Sequence, residues 1–122
     1  MSPPDLLLLS SELVGDARVV RAAGEVDLSS ANALEAELVA TDAPVVVLDL
    51  GLLGYLDSWG IRAIERAMRR LRAGRRALLL VAPEDTVSAW TLRTAGFDVE
   101  LLCNSVGDAL ALLDAPAERA RG

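Results

Sequence analysis

The sequence predicts an α/β fold in which a mixed β-sheet opens with a hairpin and about four helices pack on that sheet. The pair Gly15-Asp16 separates two short apolar runs, which is typical of a tight antiparallel hairpin. Residues 45–50 are nearly all branched aliphatics, which indicates a central strand buried on both faces. After residue 29, helical and strand patterns alternate, as they do in a sheet with parallel strands.

Each element follows from its own local pattern. Ala31, Leu34 and Leu38 recur at helical spacing after the candidate caps Asp27 and Ser29. Pro44 stops this first helix; the other helices carry similar apolar stripes and end at Gly74, at Gly96 and at the tail. The predicted strands are 6–13, 17–23, 45–50, 77–82 and 99–103; the predicted helices are 29–40, from near 58 to 74, 84–95, and from 104 or 105 to about 113.

A single domain over residues 1–122 is predicted, with an ordered core at about 5–114. The 122 residues and the apolar fraction of 52% are sufficient for one core without disulfides or metals. No repeat, linker or low-complexity segment divides the chain. The last helix should bury Val106, Ala109, Leu110 and Leu113, and the tail from Asp114 to Gly122 is expected to fray.

The composition argues against several classes of function. A net charge of −6 is unfavourable for nucleic-acid binding, which depends on Lys and Arg neutralising phosphates. The chain has no His and no Lys, so it offers neither a Ser-His-Asp nor a Cys-His nucleophile pair. With one cysteine and no imidazole, only carboxylate-and-carbonyl sites for hard cations remain, and no Asp-rich loop of the required spacing appears. We therefore expect no catalytic residue, no metal and no cofactor.

The sequence also indicates where the protein works. Cys103 cannot form an internal disulfide, and its apolar neighbours favour a buried structural thiol. The longest apolar runs are far shorter than the roughly 20 residues of a membrane helix, and no signal-type segment is present. These features predict a cytoplasmic protein without membrane insertion.

The segment 55–60, Tyr-Leu-Asp-Ser-Trp-Gly, joins the central strand to a helix and is the most informative polar stretch. A serine in the first helical turn, here Ser58, can be an N-cap or a phosphorylation site where helix N–H groups and the helix dipole favour an anion. Asp57 either charges the helix start or contacts a partner. Asp27 is either an N-cap or a partner contact, and Trp59 is either a buried wedge or an exposed anchor.

Three blocks of sequence resemble the STAS domain family, and within it the small bacterial anti-anti-sigma factors. The first is Gly24-Glu25-Val26-Asp27, similar to a turn between the second strand and first helix. The second, residues 45–60, is similar to a strand, a Leu-rich turn and an Asp-Ser-x-Gly motif. The third is Ala95-Gly96-Phe97 at the end of the third helix. Their order and spacing span nearly the whole chain.

The resemblance implies partner switching without enzymatic activity. The unmodified protein would bind an anti-sigma factor of the GHKL serine-kinase type and so release a sigma factor for transcription. That kinase would phosphorylate Ser58, and a PP2C-type phosphatase would restore the hydroxyl. Ser58, together with Asp27, Asp57 and Trp59, is therefore the predicted partner-binding site.

Two further questions stay open in the sequence. The family usually has Ser or Thr after the modified serine, whereas this chain has Trp59. That departure leaves an alternative function open: a regulatory or structural STAS subunit, as in a stressosome or a lipid-transport complex, without phosphorylation.

The orientation of Trp90 is also open. It points outward if Ser88, Leu92 and Ala95 form the core stripe of the third helix; it is buried if Val87 and Thr94 share its face. The arginine-rich run 69–76 is expected to be a solvated helix face and end.

Overall fold

The computed structural model describes residues 6–40, 42–98 and 102–114. Within them, five strands and four helices alternate after an initial hairpin, so the predicted α/β fold with a mixed sheet is confirmed. The elements are β1 (Leu7–Val14), β2 (Ala17–Val26), α1 (Ala31–Val39), β3 (Val45–Leu56), α2 (Ser58–Ala73), β4 (Ala77–Val81), α3 (Val87–Thr94), β5 (Leu102–Cys103) and α4 (Val106–Asp114).

The strands lie in the order β1-β2-β3-β4-β5. The hairpin β1–β2 is antiparallel, and Val14 pairs with Ala17 across the two-residue turn. All later neighbours are parallel. Because parallel strands end at the same edge, the turns that lead from β2 into α1 and from β3 into α2 lie side by side.

Two apolar clusters occupy the two faces of the sheet. Helices α1, α2 and α3 contribute Leu34, Ile64 and Leu92 to the larger cluster. Helix α4 covers the other face with Ala109, around which Val106, Leu110 and Leu113 pack as predicted. No helix among the described residues is long and apolar enough to cross a membrane.

Strand β3 is six residues longer than predicted, because the expected Leu-rich turn after Leu50 remains part of the sheet. Its pairing with β2 shifts twice: between the pairs Arg21–Asp49 and Ala23–Leu52, and again between Gly24–Leu53 and Glu25–Tyr55. Each shift leaves an extra residue on β3, which is the definition of a β-bulge. The buried positions 50, 53 and 56 are therefore three apart instead of two, and this spacing conceals the strand pattern.

Other boundaries differ from the prediction by a few residues. Helix α1 begins at Ala31 rather than Ser29, because the turn before it is closed by side-chain bonds. Helix α3 begins only at Val87: Thr86 is its N-cap and accepts a hydrogen bond from the Ala89 N–H at 3.2 Å. Strand β2 continues to Val26, since β3 accompanies it. Part of the predicted last strand, 99–101, and most of the tail, 115–122, lie outside the described residues.

The open question about α3 is resolved by its contact with β3. Ser88 is fully buried, and its hydroxyl donates to the Leu50 carbonyl at 3.1 Å. Leu92 is buried on the same stripe, whereas Trp90 is 64% exposed. Trp90 therefore points outward. Cys103 is partly buried against the α4 cluster, and burial, assisted by the negative charge of Asp108, raises the pKa of its thiol.

An ion-pair network joins α1 to α2. The Glu35 carboxylate accepts hydrogen bonds from Arg66 Nε at 2.7 Å and from Arg70 Nη1 at 3.0 Å. The Glu35 side chain is only 13% exposed. Burial alone would raise the pKa of Glu35, but the two arginines outweigh it and lower that pKa overall. The arginine-rich end of α2 is thus a solvated face that also binds α1 through Glu35.

This network predicts a pH dependence of stability. The pKa of Glu35 is lower in the folded protein than in the unfolded chain, so the ionised carboxylate stabilises the fold. This contribution to the free energy of unfolding is complete above the ordinary glutamate pKa of about 4.3, and it is lost as the pH falls through the pKa of the folded state. We expect Glu35→Gln to reduce the free energy of unfolding at pH 7 by about 1 kcal/mol and to weaken its acid dependence. Urea unfolding at pH 7 and pH 3 measures both. Glu65→Gln, exposed on α2, is the control; equal acid dependence in wild type and Glu35→Gln would contradict the assignment.

Candidate functional site

The two turns that carry the predicted site residues are joined directly. Val26 pairs with Leu56 at the ends of β2 and β3, and the Asp57 N–H donates to the Val26 carbonyl at 3.3 Å. The turn 27–30 and the turn 57–59 therefore lie next to each other at one edge of the sheet. We call their exposed and half-buried side chains the paired-turn surface: Asp27, Leu28, Asp57, Ser58 and Trp59.

Asp27 organises the first turn. Its Oδ1 accepts hydrogen bonds from the Ser29 N–H at 2.9 Å and the Ser29 hydroxyl at 2.6 Å. Ser30, which occupies the N-cap position of α1, accepts a bond from the Asp27 N–H at 3.1 Å and donates to the Glu25 carbonyl at 3.2 Å. The bonds to Ser29, together with Ser30, lower the pKa of Asp27, so this carboxylate is anionic at neutral pH. Neither Asp27 nor Ser29 is the N-cap itself, contrary to the prediction.

Asp57 caps the second turn. Its backbone is extended, and its Oδ1 accepts hydrogen bonds from the Trp59 N–H at 2.9 Å and the Gly60 N–H at 3.2 Å. The prediction that Ser58 could be the N-cap of α2 is therefore wrong. Since an N-cap side chain satisfies helix N–H groups that otherwise lack partners, Asp57 already occupies two of the amides that could have held an anion.

Ser58 is the first residue of α2 and is exposed. Its hydroxyl makes no hydrogen bond within the part of the chain that the structure describes. A cap role would have directed this oxygen towards the helix amides, but Asp57 fills that position. The Ser58 oxygen is thus free to react or to bind, and it lies beside an acidic side chain.

Trp59 lies on the surface rather than in the core. Its side chain is 42% exposed, and the Arg62 guanidinium lies 5.3 Å from the ring centroid. This distance and the spacing of three residues along α2 favour a cation–π contact, which holds the indole in one orientation. A half-exposed, oriented aromatic ring is typical of residues that anchor protein interfaces.

Gly60 allows α2 to begin this close to the sheet. A Cβ atom at this position would lie 2.5 Å from Leu56 Cδ1 and 2.8 Å from Val26 Cγ1. A side chain there would displace the core side chains of Leu56 and Val26 or the helix start, so the glycine of the Asp-Ser-x-Gly motif allows Ser58 to lie close to both turns.

Replacing Asp57 separates its capping role from its charge. Asp57→Ala removes the acceptor for two N–H groups and should lower the free energy of unfolding by about 1 kcal/mol. Asp57→Asn keeps a side-chain oxygen and should retain nearly all of the stability. Chemical unfolding of the two variants beside wild type measures the difference. Equal stability of the Ala and Asn variants would show that the bonds to Trp59 and Gly60 do not stabilise the helix start.

Sequence comparison identifies the family. The family model described as STAS domain matches residues 9–109, which includes both turns, most of β1 and all of the other four strands among the described residues. The chain belongs to the STAS domain family. In this STAS domain the paired-turn surface takes residues from two of the three sequence blocks noted above, and the structure joins the two turns although Asp27 and Asp57 are thirty residues apart.

Solved structures with this STAS fold include anti-sigma factor antagonists. One from Mycobacterium paratuberculosis is 27% identical, with a TM-score of 0.78 over 91% of this chain and 97% of that chain. SpoIIAA in its unphosphorylated form is 19% identical, with a TM-score of 0.72 over 88% and 97%. The Bacillus cell fate determinant SpoIIAA in the phosphorylated form is also 19% identical, with a TM-score of 0.67 over 87% of this chain and 99% of that chain. The comparison with curated proteins gives no match.

The sequence analysis missed one member of the paired-turn surface. Leu28 is 61% exposed between Asp27 and Ser29. Its signal was available, since a lone large apolar residue inside a polar turn has no core position to fill. Together with Trp59, it gives this surface two exposed apolar side chains in addition to its two carboxylates.

Proposed function

We propose that this STAS domain is a non-enzymatic anti-sigma factor antagonist whose paired-turn surface binds an anti-sigma factor and is switched by phosphorylation of Ser58. The partner is a GHKL-type serine kinase, and a PP2C-type phosphatase reverses the modification. The observation that carries the proposal is the exposed Ser58 hydroxyl at the first position of α2, which makes no hydrogen bond to any residue that the structure describes. Similarity to the mycobacterial antagonist supports it.

The chemistry of the site explains how one phosphate would act. Phosphorylation adds about −1.5 to −2 charges at neutral pH. Asp57 already accepts from the Trp59 and Gly60 amides, so the phosphate meets a neighbouring carboxylate and few free donors. The dianion would have to be desolvated inside an interface that also contains Leu28 and Trp59. The helix start tolerates the charge, whereas the interface does not.

A kinase assay tests the modification. Each GHKL-type kinase of the source organism is purified and incubated with ATP and the wild-type domain, Ser58→Ala or Ser105→Ala. Ser105 is a matched control because it is an exposed serine at the start of another helix, where its hydroxyl accepts from the Asp108 N–H at 3.0 Å. We expect one phosphoryl group on wild type and on Ser105→Ala and none on Ser58→Ala, by intact-mass measurement.

Trp59 favours a second candidate function, that of a STAS subunit without a phosphorylation cycle. An indole follows the serine where the family usually has a small hydroxyl residue, and it is oriented by Arg62. If the domain is instead a STAS subunit of a larger complex without phosphorylation, no kinase should modify wild type, Ser58→Ala or Ser105→Ala. It would also form a complex that persists when Ser58 is replaced by Asp. That combined result would overturn the phosphorylation switch and favour the structural-subunit function.

A further inference from the structure

The face of the sheet opposite α1, α2 and α3 is only partly covered. On β2, Ala17 and Val19 point to this face and are fully buried under the α4 cluster. The next residues on the same side are Arg21, Ala23 and Glu25, since side chains alternate along a strand. Within the described residues, the α4 cluster has no member beyond Val19 on β2 or Val47 on β3.

A row of charged side chains marks the limit of the covered area. Arg21 Nη1 lies 3.1 Å from Glu12 Oε1, and Arg21 Nε lies 4.0 Å from Asp49 Oδ2. These residues belong to β2, β1 and β3 respectively, so the row crosses three strands. Towards the paired turns, the next register row is Leu8, Ala23 and Leu52, followed by Glu25 and Tyr55.

The large side chains beyond this row are apolar and exposed. Leu52 is 70% exposed, Leu8 58% and Tyr55 46%. The two β-bulges direct Leu52 and Tyr55 to this face, because Leu53 and Leu56 are in the core on the other side. We call Leu8, Leu52 and Tyr55 the open-face patch. Single exposed leucines are ordinary, but Leu8 on β1 and Leu52 on β3 lie on either side of Ala23 in one register row, and Tyr55 follows on β3. Such a grouping of exposed apolar side chains indicates an interaction site.

Charge identifies the kind of partner. Glu25, Asp27 and Asp57 lie at the same end of the sheet, and within the described residues none of them forms an ion pair. The pKa of Asp27 is lowered, so it keeps its charge at neutral pH. A complementary surface therefore presents apolar side chains flanked by Arg or Lys. A second copy of this chain, with net charge −6, is a poor match.

We propose that the open-face patch is a second contact with the anti-sigma factor, which places an apolar segment flanked by basic residues on Leu8, Leu52 and Tyr55. The inference rests on the proposed function, because it assigns this contact to the partner that covers Ser58. Tyr55 is three residues before Ser58 and next to the last residue of β3, so the patch and the paired-turn surface lie at the same end of the sheet. Phosphorylation would act at this end.

Leu52→Arg tests this contact. The substitution should leave the fold intact, because the side chain is mostly exposed, and it should oppose a basic apolar segment. Leu13→Arg is the matched control, since Leu13 is 66% exposed at the other end of the sheet, where it pairs with Arg18. Calorimetry with each purified GHKL-type kinase should show at least tenfold weaker binding for Leu52→Arg than for wild type or Leu13→Arg.

Two controls distinguish the possible failures. If Ser58→Asp abolishes kinase binding while Leu52→Arg binds like wild type, the second contact is overturned and the proposed function stands. If no kinase binds wild type, both are overturned. Sedimentation equilibrium tests whether a second copy of this chain covers the patch instead. If wild type is a dimer, Leu52→Arg is a monomer and kinase binding is unchanged, the patch is a self-association site and the second contact is overturned.

Discussion

Ser58→Asp should weaken binding to the anti-sigma factor at least a hundredfold, which corresponds to about 2.8 kcal/mol. The new carboxylate stands beside Asp57, whose Oδ1 already takes the Trp59 and Gly60 amides. Two adjacent anions in an interface must both lose water, and no cation among the described residues forms an ion pair with Asp57. Titration calorimetry with the kinase that phosphorylates wild type is the measurement.

The same substitution should not unfold the protein. A negative charge in the first turn of a helix is favourable by about 0.3–1 kcal/mol, and Ser58 makes no hydrogen bond that Asp would break within the described part of the chain. Ser105→Asp is the matched control, because it places an acid at the start of α4, which follows β5, two strands along the sheet from β3. Loss of binding in both variants, or loss of stability in Ser58→Asp, would contradict an interface effect.

Gly24→Ala should lower the free energy of unfolding by about 3 kcal/mol. Gly24 has a φ of +97°, which costs an L-residue about 1–3 kcal/mol. A Cβ atom there would also overlap the carbonyl oxygen of Leu6, a backbone atom that cannot move without shifting β1. Overpacking of this kind costs about 1–3 kcal/mol more. Urea unfolding measures the loss, a large fraction of the 5–15 kcal/mol typical of a domain.

Gly15→Ala separates the two causes. Gly15 also has a positive φ, +60°, but nothing lies within 4 Å of the position a Cβ would take. It should lose only about 1 kcal/mol, the cost of a left-handed conformation. Similar losses for both variants would show that β1 yields to the Cβ at Gly24. The expected difference in stability loss gives a reason for glycine at position 24. Without a side chain there, the backbone before β1 can lie close to β2, the strand that ends directly before Asp27.

The prediction of the element order from sequence succeeded where local signals are strong. The turn pair Gly15-Asp16, the aliphatic run at the start of β3 and the apolar stripe of α2 each identify an element without information from elsewhere in the chain. The stripe was correct because Ile61, Ile64 and Leu71 repeat at the helical period and all three are buried. The family resemblance placed Asp27 and Ser58 in one predicted site, which requires the two turns to be close, and the bond from the Asp57 N–H to the Val26 carbonyl shows that they are.

The features that sequence reasoning missed depend on partners distant in the chain. The second half of β3 is a strand only because β2 continues beside it, and its bulges give buried residues a spacing of three that no local rule assigns to a strand. The open-face patch was missed for the same reason, since the bulges decide which way Leu52 and Tyr55 point. Between Asp57 and Ser58, both cap-forming residues, the pairing of Leu56 with Val26 determines where the strand ends and so which residue caps α2.

The sequence by itself thus determined the α/β class, the order of the elements and the position of Ser58 at a helix start. Those properties follow from local periodicity and from turn and cap residues. The tertiary structure alone decided that Asp57 is the cap and that Trp90 points outward. It also decided that none of the described residues bonds to the Ser58 hydroxyl or covers the open-face patch. Each of these depends on which backbone lies alongside, and the pairing of distant strands is set by packing across the whole sheet rather than by neighbouring residues.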